Sequence, residues 1–364
     1  MSGIIDSRLN AHDELCSDID FVIPWVDGSD PEWQKSRRTY RDEEQKASIR
    51  SNAARYRDWG ILPYWFRAVE KYAPWVRKIH FITCGQVPAW LNLNHTKLHF
   101  VKHEDYIPHQ WLPTFSSYPI ELNIHRIDGL SEKFVYFNDD MFLNAPVKPE
   151  DFFVNGLPCA CIGLNPGPGG MLNEAMGHVE LNHLIVIARH FDFRKSFTAN
   201  FTKWLRLRYG SVLLRTLYML PAFWACKSCR GFYEPHTAGS YLKQTFTEVW
   251  NKEQELLEQT SSHKFRDIRD VGQWLMEYWQ IMSGNFHPRS KNFSAFYSAD
   301  SMLANRKFLA RLISDIKSSR HKLICINDND NDTDDASAKA LHEIVRAVQH
   351  AYSEVLPDKS AFEL

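Results

Sequence analysis

An asparagine and two aspartates follow directly after an apolar run in the segment FVYFNDDMF, residues 134–142. The apolar run predicts a buried strand, so Asn138, Asp139 and Asp140 would lie where that strand ends. Ligands of open α/β sheets bind beyond the carboxyl ends of strands, and hard divalent cations take oxygen ligands while leaving positions for phosphates. The three residues therefore predict a metal and phosphate site. The alternative is a turn whose side chains bond their own backbone.

The segment DFVIPWVDGSDPEW, residues 20–33, has the same construction. An apolar run is again followed by acidic residues, Asp27 and Asp30, with a glycine between them. Two strands that both end in acidic turns strengthen the prediction of a shared site. For Asp27 the simpler alternative is a side chain that closes a turn after the first strand.

The elements that must position these residues alternate along residues 18–165. Short apolar runs bounded by turn residues predict covered strands, and the longer stretches between them predict helices. The strand-like runs are FVIPWV, KIHFIT, LHFVK and KFVYF, and the helix-like stretches are 55–72 and 119–127. This alternation predicts an α/β protein with a layered sheet.

A loop rich in glycine and proline, LNPGPGG at residues 164–170, ends this pattern. Residues 171–322 then favour helices, because apolar residues recur at helical spacing. These helix-like segments are LNHLIVIARHF, FTKWLRLRYGSVLLRTLYML, YLKQTFTEVWNKEQELLEQ and VGQWLMEYWQIM. Residues 323–364 form a C-terminal segment with one amphipathic helix, predicted from Ser337 or the acidic run before it to Leu356. We therefore expect an α/β part at 18–165, a mainly helical part at 171–322 and a C-terminal part at 323–364.

One helix-like stretch, Lys203 to Arg230, is apolar for its length and has basic residues at both ends. A basic amphipathic stretch of this kind can lie on an anionic membrane, which would give peripheral membrane association. Two core helices broken at Pro221 would produce the same pattern. The sequence leaves both interpretations open.

Composition limits the class of protein. The chain has 364 residues, 44% of them hydrophobic, which is enough for a large ordered core. Lys and Arg number 43 against 44 Asp and Glu, so no basic excess favours nucleic acid. The sequence starts without a basic segment followed by an apolar one, and no apolar run approaches the length of a membrane span. The expectation is a cytoplasmic protein, at the inner face of the plasma membrane if the basic stretch binds lipid.

The motifs, taken in order, resemble the Stealth family of sugar-1-phosphate transferases. The resemblance covers most of the chain and is carried by WVDGSDPEW, GQVPAWL, LPTFSS, IELNIHRIDGLS and FNDD, then by residues 234–279 and KLICINDND. It implies a glycosyltransferase-A-like nucleotide-sugar fold with a helical extension. It also implies a UDP-sugar donor and a glycan or lipid-linked glycan acceptor.

The resemblance further implies which residues act. His236 lies thirty positions before Arg266, a spacing like that of a catalytic His and Arg in the family's animal members. His236 would take a proton from the acceptor hydroxyl, while Arg266 and Arg57 would clamp phosphate oxygens. Asp27 would contact the nucleotide or the acceptor, and His178 is a second candidate base.

A further set would line the substrate pocket, and it consists of Asp58, Ser116, Ser117, Glu121, Asn327 and Asp328. Asn138, Asp139 and Asp140 would hold Mg²⁺, with Mn²⁺ as a substitute, because both ions accept oxygen ligands.

The expected reaction moves a sugar 1-phosphate, with hexosamine 1-phosphate favoured, to a glycan hydroxyl and releases UMP. It would serve bacterial capsule or other cell-surface polysaccharide synthesis. The alternative is a metal-dependent glycosyltransferase that forms a glycosidic bond and releases UDP. A third interpretation, a carbohydrate-binding surface built from tryptophans and tyrosines, is less favoured because many of these residues fall in helix-like apolar stripes. The sequence does not indicate an oligomeric state.

Overall fold

The computed structural model describes residues 18–44, 56–167, 175–226, 230–328 and 335–364. The strands in these ranges form three sheets. The strands are β1 (Ile19–Pro24), β2 (Ile79–Thr83), β3 (Leu98–Lys102), β4 (Lys133–Tyr136), β5 (Met141–Leu143), β6 (Phe153–Val154), β7 (Leu157–Ala160), β8 (Gly239–Leu242), β9 (His287–Pro288), β10 (Ser294–Ser298) and β11 (Leu323–Asn327).

Helices surround the sheets and make up most of the chain after residue 175. They are α1 (Pro31–Glu44), α2 (Leu62–Tyr72), α3 (His103–Tyr106), α4 (Ser117–Leu122), α5 (Ala175–His190), α6 (Phe193–Ala199), α7 (Phe201–Trp204), α8 (Ser211–Cys226), α9 (Lys243–Lys252), α10 (Gln254–Ser262), α11 (Trp274–Met282), α12 (Ala299–Ala304), α13 (Arg306–Ser318) and α14 (Asp335–Val355).

The main sheet has the strand order β3-β2-β1-β4-β8. The first four of these strands pair in parallel, and β8 pairs antiparallel with β4 at the edge. β1 is buried along almost its whole length, as expected for a parallel strand covered on both faces. This mixed α/β architecture confirms the predicted fold class and is consistent with a glycosyltransferase-A-like fold.

Two apolar cores lie on opposite faces of the main sheet. Successive residues of a strand point to opposite faces, so Phe21 joins one core and Val22 the other. The first core includes residues of α2, α13 and α14, and the second includes residues of α5, α9 and α11. The predicted division into three parts remains a prediction. The structure adds that the C-terminal helix packs on the face opposite α5 and α9.

The predicted helix over residues 55–72 is shorter than expected. Residue 55 lies outside the described residues, and α2 begins only at Leu62. Before it, the Asp58 Oδ1 atom accepts a hydrogen bond from the Gly60 amide at 2.7 Å, and Gly60 has φ +65°. This turn, with Pro63 in the first turn of α2, fixes the start of the helix.

The helix predicted from Tyr241 onward is also wrong at its start. Tyr241 and Leu242 belong to β8, and α9 begins at Lys243. β8 pairs with the edge of β4 (Lys133–Tyr136), and this pairing satisfies the backbone hydrogen bonds of Tyr241 and Leu242. The helical spacing of apolar residues in the sequence gives no information about such a distant partner.

One of the two interpretations of residues 203–230 placed a helix break at Pro221, and this break does not occur. α8 runs through Pro221. A proline leaves the carbonyl four residues earlier without its amide partner. Here that residue is Leu217, which lies on the exposed side of the helix. The chain breaks instead at Gly210, which has φ +55°.

The C-terminal helix and the Gly/Pro loop fall close to expectation. α14 spans Asp335–Val355, against the predicted end at Leu356. Leu164 to Gly167 form neither helix nor strand apart from an isolated bridge between Leu164 and Phe232, and residues 168–170 lie outside the described residues.

A buried carboxylate ties the start of the main sheet together. Asp20 in β1 is fully buried. Its carboxylate accepts hydrogen bonds from Arg77 Nε at 2.9 Å, Arg77 Nη2 at 2.5 Å and the Ser131 amide at 2.8 Å. Its Oδ2 atom also lies 2.9 Å from His80 Nε2. Burial opposes ionisation of Asp20, but His80, Arg77 and Ser131 together lower its pKa. One carboxylate thus links β1, β2 and the segment that enters β4.

We predict that Asp20→Asn lowers the free energy of unfolding by about 3–5 kcal/mol, because Arg77 and His80 lose the charge they surround. Urea unfolding at neutral pH measures this loss, with the exposed Asp128→Asn as the matched control expected within about 0.5 kcal/mol of the parent. The pKa of Asp20 in the folded protein is below its ordinary value of 3.8. The contribution of Asp20 to the free energy of unfolding is therefore complete above pH 3.8 and is lost as the pH falls through the pKa of the folded state. A loss below about 1 kcal/mol would contradict the structural role of Asp20.

Candidate active site

The Asn-Asp-Asp segment forms the turn between β4 and β5. The Met141 amide donates to the Asn138 carbonyl at 3.1 Å, which closes the turn, and the Phe137 amide bonds the Val22 carbonyl of β1. Asp139 and Asp140 therefore lie at the carboxyl end of the parallel strands. This is the edge at which α/β sheets bind ligands.

Asp140 is the centre of a cluster drawn from remote parts of the chain. Its Oδ2 atom accepts hydrogen bonds from Asn327 Nδ2 at 2.9 Å and from Cys325 Sγ at 3.3 Å, and His236 Nε2 lies 3.6 Å away. β11 pairs antiparallel with β5, which brings Cys325 opposite Met141. β8 pairs antiparallel with β4, which brings the segment before Gly239 to the end of β4.

The charges in this cluster follow from burial and hydrogen bonding. Burial opposes ionisation of Asp140, but His236, Asn327 and Cys325 together lower its pKa. Burial, with the charge of Asp140, raises the pKa of the Cys325 thiol well above its usual value. At neutral pH Asp140 is therefore a carboxylate, and Cys325 is a thiol that donates to it.

Asp139 differs from its neighbour. The residue is exposed at the edge of the site, but protein atoms crowded around its carboxyl reduce the solvation of the charged form. This desolvation, with the charges of Asp140 and Asp58, raises the pKa of Asp139 to about 7. Asp58 is affected in the same way, because burial and the charge of Asp27 raise its pKa. Asp139 is thus repelled by Asp140 and Asp58, and Asp58 by Asp27, and a bound cation would relieve this repulsion.

The polar atoms around Asp140 fit a divalent cation. Asp140 Oδ1 and Asn327 Oδ1 are buried and have no hydrogen-bond partner among the described residues. Ligand atoms of Asp140, His236 and Cys325 all lie within 4.8 Å of one another, whereas Asp139 is not part of this group. Of the two predicted carboxylate ligands, only Asp140 therefore belongs to the cluster. Mg²⁺ or Mn²⁺ as the ion remains a prediction.

Sequence reasoning missed Cys325. Its signal lies in KLICINDND, where Cys325 and Asn327 are two residues apart on one strand. Residues at this spacing point to the same face, so both side chains reach Asp140 once β11 is placed. Without knowledge of that placement, a buried cysteine in an apolar run indicates only core packing.

His236 occupies a constrained position just before β8. Its backbone has φ +43°, the left-handed region that non-glycine residues adopt at a cost of about 1–2 kcal/mol. Its ring lies edge-on to Phe296, with centroids 5.4 Å apart, and 6.3 Å from the ring of Trp274. His236 keeps this unfavourable backbone conformation, and its ring lies next to Asp140. Strained backbone of this kind is typical of functional positions.

Arg266 lies beside α4. Its Nη2 atom donates to Ser117 Oγ at 3.0 Å, and its guanidinium stacks over the Tyr118 ring at 4.8 Å. Ser116 caps α4, because its Oγ accepts from the Tyr118 amide. The structure therefore brings Ser116 and Ser117, predicted to line the pocket, together with the predicted clamp Arg266.

Glu121 links Arg266 to His236. It is buried, and its Oε2 atom accepts from the Gln273 amide at 3.3 Å. Burial raises its pKa, while Ser117, Arg266 and His236 act in the opposite direction. Both predicted catalytic residues thus lie within electrostatic range of one carboxyl group.

The other predicted clamp, Arg57, is held by Asp328. Its Nη1 atom lies 2.9 Å and 3.2 Å from the two Asp328 oxygens, and Trp59 Nε1 donates to the same carboxylate at 2.8 Å. Asp328 directly follows Asn327, so this pair adjoins the Asp140 cluster along the chain. A phosphate contact by Arg57 remains a prediction.

The Asp27 side chain closes the turn after β1, which was the simpler of the two roles expected for it. Its Oδ1 atom accepts from the Ser29 amide at 2.8 Å and from Ser29 Oγ at 2.6 Å. Its backbone is held by the Gln86 side chain through bonds of 2.9 Å and 3.1 Å. Contact between Asp27 and a substrate remains a prediction.

His178 lies near the start of α5 and is half-buried. Two residues before it, the Met176 sulfur contacts Tyr118 Oη and Arg266 Nη1, so this part of α5 borders the Arg266 side of the site. His183, further along the helix, accepts from the Gly272 amide, and burial lowers its pKa to about 3. His183 is therefore a neutral structural residue, while the role of His178 remains a prediction.

Family models match three segments of the chain. They are described as Stealth protein conserved region 1, matching residues 17–45, conserved region 2, matching residues 55–159, and conserved region 4, matching residues 314–364. These segments contain Asp27, the Asn138–Asp140 turn and β11, three of the elements that build the site.

Curated relatives match over almost the whole chain. The capsular polysaccharide phosphotransferase WcwK of Streptococcus pneumoniae is 41% identical over 345 residues, 95% of this chain and 98% of the relative. The receptor polysaccharide phosphotransferase WefC of Streptococcus gordonii is 39% identical, covering 95% and 99%. The exopolysaccharide phosphotransferase cps2G of Lactiplantibacillus plantarum is 37% identical, covering 95% and 96%. Identity at this level over nearly full length, together with the three matching regions, establishes that the chain belongs to the Stealth family of bacterial phosphotransferases.

Proposed function

We propose that the protein transfers a sugar 1-phosphate, with hexosamine 1-phosphate favoured, from a UDP-sugar to a hydroxyl of a glycan acceptor. The product is a phosphodiester, and UMP is released. The names of the relatives support a role in capsular or other cell-surface polysaccharide synthesis. A lipid-linked glycan as acceptor would bring the reaction to the inner face of the plasma membrane.

The observation that carries this proposal is the convergence of His236, Asp140 and Arg266 at one end of the main sheet. His236 Nε2 lies 3.6 Å from Asp140 Oδ2, and His236 and Arg266 both lie close enough to Glu121 to influence its ionisation. A proton acceptor, a cation-binding carboxylate and a phosphate-binding guanidinium are the groups that phosphoryl transfer needs together. They come from three separate regions of the sequence.

In the proposed reaction the acceptor oxygen attacks the phosphorus that carries the sugar. The new P–O bond forms as the bond to the UMP oxygen breaks, and UMP leaves with that electron pair. The acceptor proton passes to the His236 imidazole, because a ring nitrogen of histidine can accept a proton in general-base catalysis. Asp140, 3.6 Å away, orients the ring and stabilises its charged form.

Asp140 would hold the cation, Mg²⁺ or Mn²⁺, and the adjacent Asp139 would contribute its negative charge from outside the cluster. A divalent ion would neutralise charge on the pyrophosphate of the donor. The Asp140 oxygen that lacks a partner is the atom available for it. Cys325 is the weaker candidate ligand, because Mg²⁺ and Mn²⁺ prefer oxygen ligands to sulfur.

Arg266 would bind the phosphoryl oxygens. Tyr118 packs against the guanidinium plane and Ser117 takes one of its donors, so the group is held in a fixed orientation with further N–H donors available. A planar fork of this kind matches two phosphate oxygens at once.

Incubation of the protein with UDP-sugars, Mg²⁺ or Mn²⁺ and a glycan acceptor tests the reaction. We expect UMP as the nucleotide product, with UDP-N-acetylhexosamines as the favoured donors. Excess chelator should stop UMP release, and added Mg²⁺ or Mn²⁺ should restore it. Chromatography of the nucleotides decides the outcome, since UDP release would instead indicate glycosidic transfer.

His236→Asn should lower turnover by about a hundred- to ten-thousand-fold, because general-base catalysis contributes on that order. Asparagine tolerates the left-handed backbone at this position, so the fold is retained. UDP-sugar affinity, measured by calorimetry, should change little. His178→Ala is the comparison, and normal turnover in His236→Asn with none in His178→Ala would move the base to α5.

Arg266→Lys should lose most of its turnover although the charge is kept, since an ammonium group cannot make two parallel contacts to phosphate. The matched control is Arg269→Lys, three residues away, where the parent side chain is exposed and paired with Asp267. Steady-state kinetics of both variants test the assignment. Equal turnover in the two variants would remove Arg266 from the phosphate site.

A further inference from the structure

A long basic segment lies between Asp192 and Glu234. It contains no acidic residue, although the whole chain is almost neutral with a net charge of −1. The basic residues of this segment are Arg194, Lys195, Lys203, Arg206, Arg208, Arg215, Lys227 and Arg230. Such segregation of charge in a neutral protein creates a local positive field that attracts an anionic surface.

The same segment exposes an apolar helix face. On α8, Leu214 is 69% exposed, Tyr218 is 80% exposed, and Leu217 and Trp224 are also exposed. These residues recur at helical spacing, so they form one stripe. Just before the helix, Leu207 is 89% exposed.

The stripe has no charged residue within it. Arg215, the one charged residue of α8, is half-buried and packs over the Tyr233 ring at 4.9 Å. Between Leu217, Leu220, Pro221, Trp224 and Ala225 the surface forms a shallow groove of about 520 Å³. A large exposed apolar patch on a soluble domain marks an interaction site.

The opposite side of α8 is anchored next to the catalytic region. Thr216 Oγ1 accepts from the Leu164 amide at 3.1 Å, and Arg215 Nη1 donates to Asn165 Oδ1 at 3.3 Å. The Tyr233 amide bonds the Gly163 carbonyl, and His236 follows three residues later. The exposed stripe is thus joined by direct packing to the segment that carries the proposed base.

We propose that α8 and the residues just before it form a membrane-docking surface that binds an anionic lipid bilayer. The apolar stripe of α8 inserts between headgroups with the helix parallel to the membrane, and the basic residues around it contact lipid phosphates. The purpose of this docking rests on the proposed function, since a lipid-linked acceptor would be reached from the membrane surface. Binding to lipid itself does not depend on the transfer reaction.

The helix length favours insertion along the membrane plane. α8 has 16 residues, or about 24 Å at 1.5 Å per residue, which is shorter than the hydrocarbon core of about 30 Å. No helix among the described residues is long and apolar enough to cross a membrane. Trp224 and Tyr218 are the residue types enriched at the interface between lipid and water.

The charge distribution favours lipid over a second copy of the chain. Two copies meeting through this face would bring two basic segments together without an acidic residue from either segment between them. Like charges across an interface oppose association. An anionic bilayer instead supplies the negative charge at every point of contact.

Flotation of the full-length protein with vesicles tests the proposal. Vesicles of phosphatidylcholine with about a third phosphatidylglycerol should bind the parent protein, and pure phosphatidylcholine should bind it far more weakly. Leu214→Asp with Tyr218→Asp should lower binding to the anionic vesicles at least tenfold, because two charges enter the inserted face. Lys195→Gln and Arg206→Gln should each weaken binding by about fivefold.

The matched control is Leu93→Asp with Phe308→Asp, which adds the same charge at two exposed apolar residues elsewhere. It should bind as the parent does, and near-ultraviolet circular dichroism should show that both double variants are folded. Absence of binding by the parent, or equal binding by the two double variants, overturns the proposal. The proposal is also overturned if light scattering shows that the parent protein is a dimer and that the Leu214→Asp with Tyr218→Asp variant is a monomer. The apolar stripe would then join two copies of the chain.

UMP release with a water-soluble acceptor separates this proposal from the proposed function. Leu214→Asp with Tyr218→Asp should keep parental turnover in that assay while losing vesicle binding. Vesicle binding without any UMP release would count against the transferase and leave the docking surface in place. UMP release without vesicle binding would count against the docking surface and leave the proposed transferase activity in place.

Discussion

The buried carboxylate of Asp20 is the constraint on which the arrangement of the main sheet depends. A fully buried charge is tolerated only when surrounding groups bond it, and here these come from Arg77, His80 and Ser131. They belong to the entry of β2, to β2 itself and to the entry of β4. The interaction therefore fixes how the three parallel strands start together. The ends of β1 and β4 lie together as a consequence, and the acidic turns that follow them meet at one edge.

The site is completed by strands that join this arrangement from far along the chain. β8 pairs with β4 and brings His236, while β11 pairs with β5 and brings Cys325 and Asn327. Each of the three contacts the Asp140 carboxylate or lies close to it. The same groups that lower the pKa of Asp140 keep it charged at a buried position. The charge of Asp140 thus depends on His236 and on the two residues that β11 brings.

The exposed stripe on α8 and the candidate active site share a structural support. α8 packs on residues 163–165, which bond residues 231–233, and the chain then leads to His236. A surface that docks on lipid through α8 would hold the segment before β8 at a set distance from the membrane. In this arrangement the helical part does more than cover the sheet, because it connects the site to the surface from which an acceptor would approach.

The sequence by itself determined the local features. Apolar runs with turn residues at their ends predicted β1 to β4, and the order of motifs predicted the Stealth family and its α/β fold. It also predicted that Asn138, Asp139 and Asp140 follow a strand, because strand burial and turn composition are local properties. The resemblance of residues 234–279 to the family pointed to His236 and Arg266 before any contact was known.

Only the tertiary structure decided how these parts meet. Tyr241 and Leu242 form a strand because β4 offers an unpaired edge, and Cys325 reaches Asp140 because β11 joins β5. Arg57 is paired with Asp328, 271 positions away, and no local pattern predicts such a partner. Whether the apolar residues of α8 face the core or the solvent was likewise open in the sequence. Local sequence determines which segments become helices and strands. Contacts between residues far apart in the chain determine how these segments pack, and those contacts build the site.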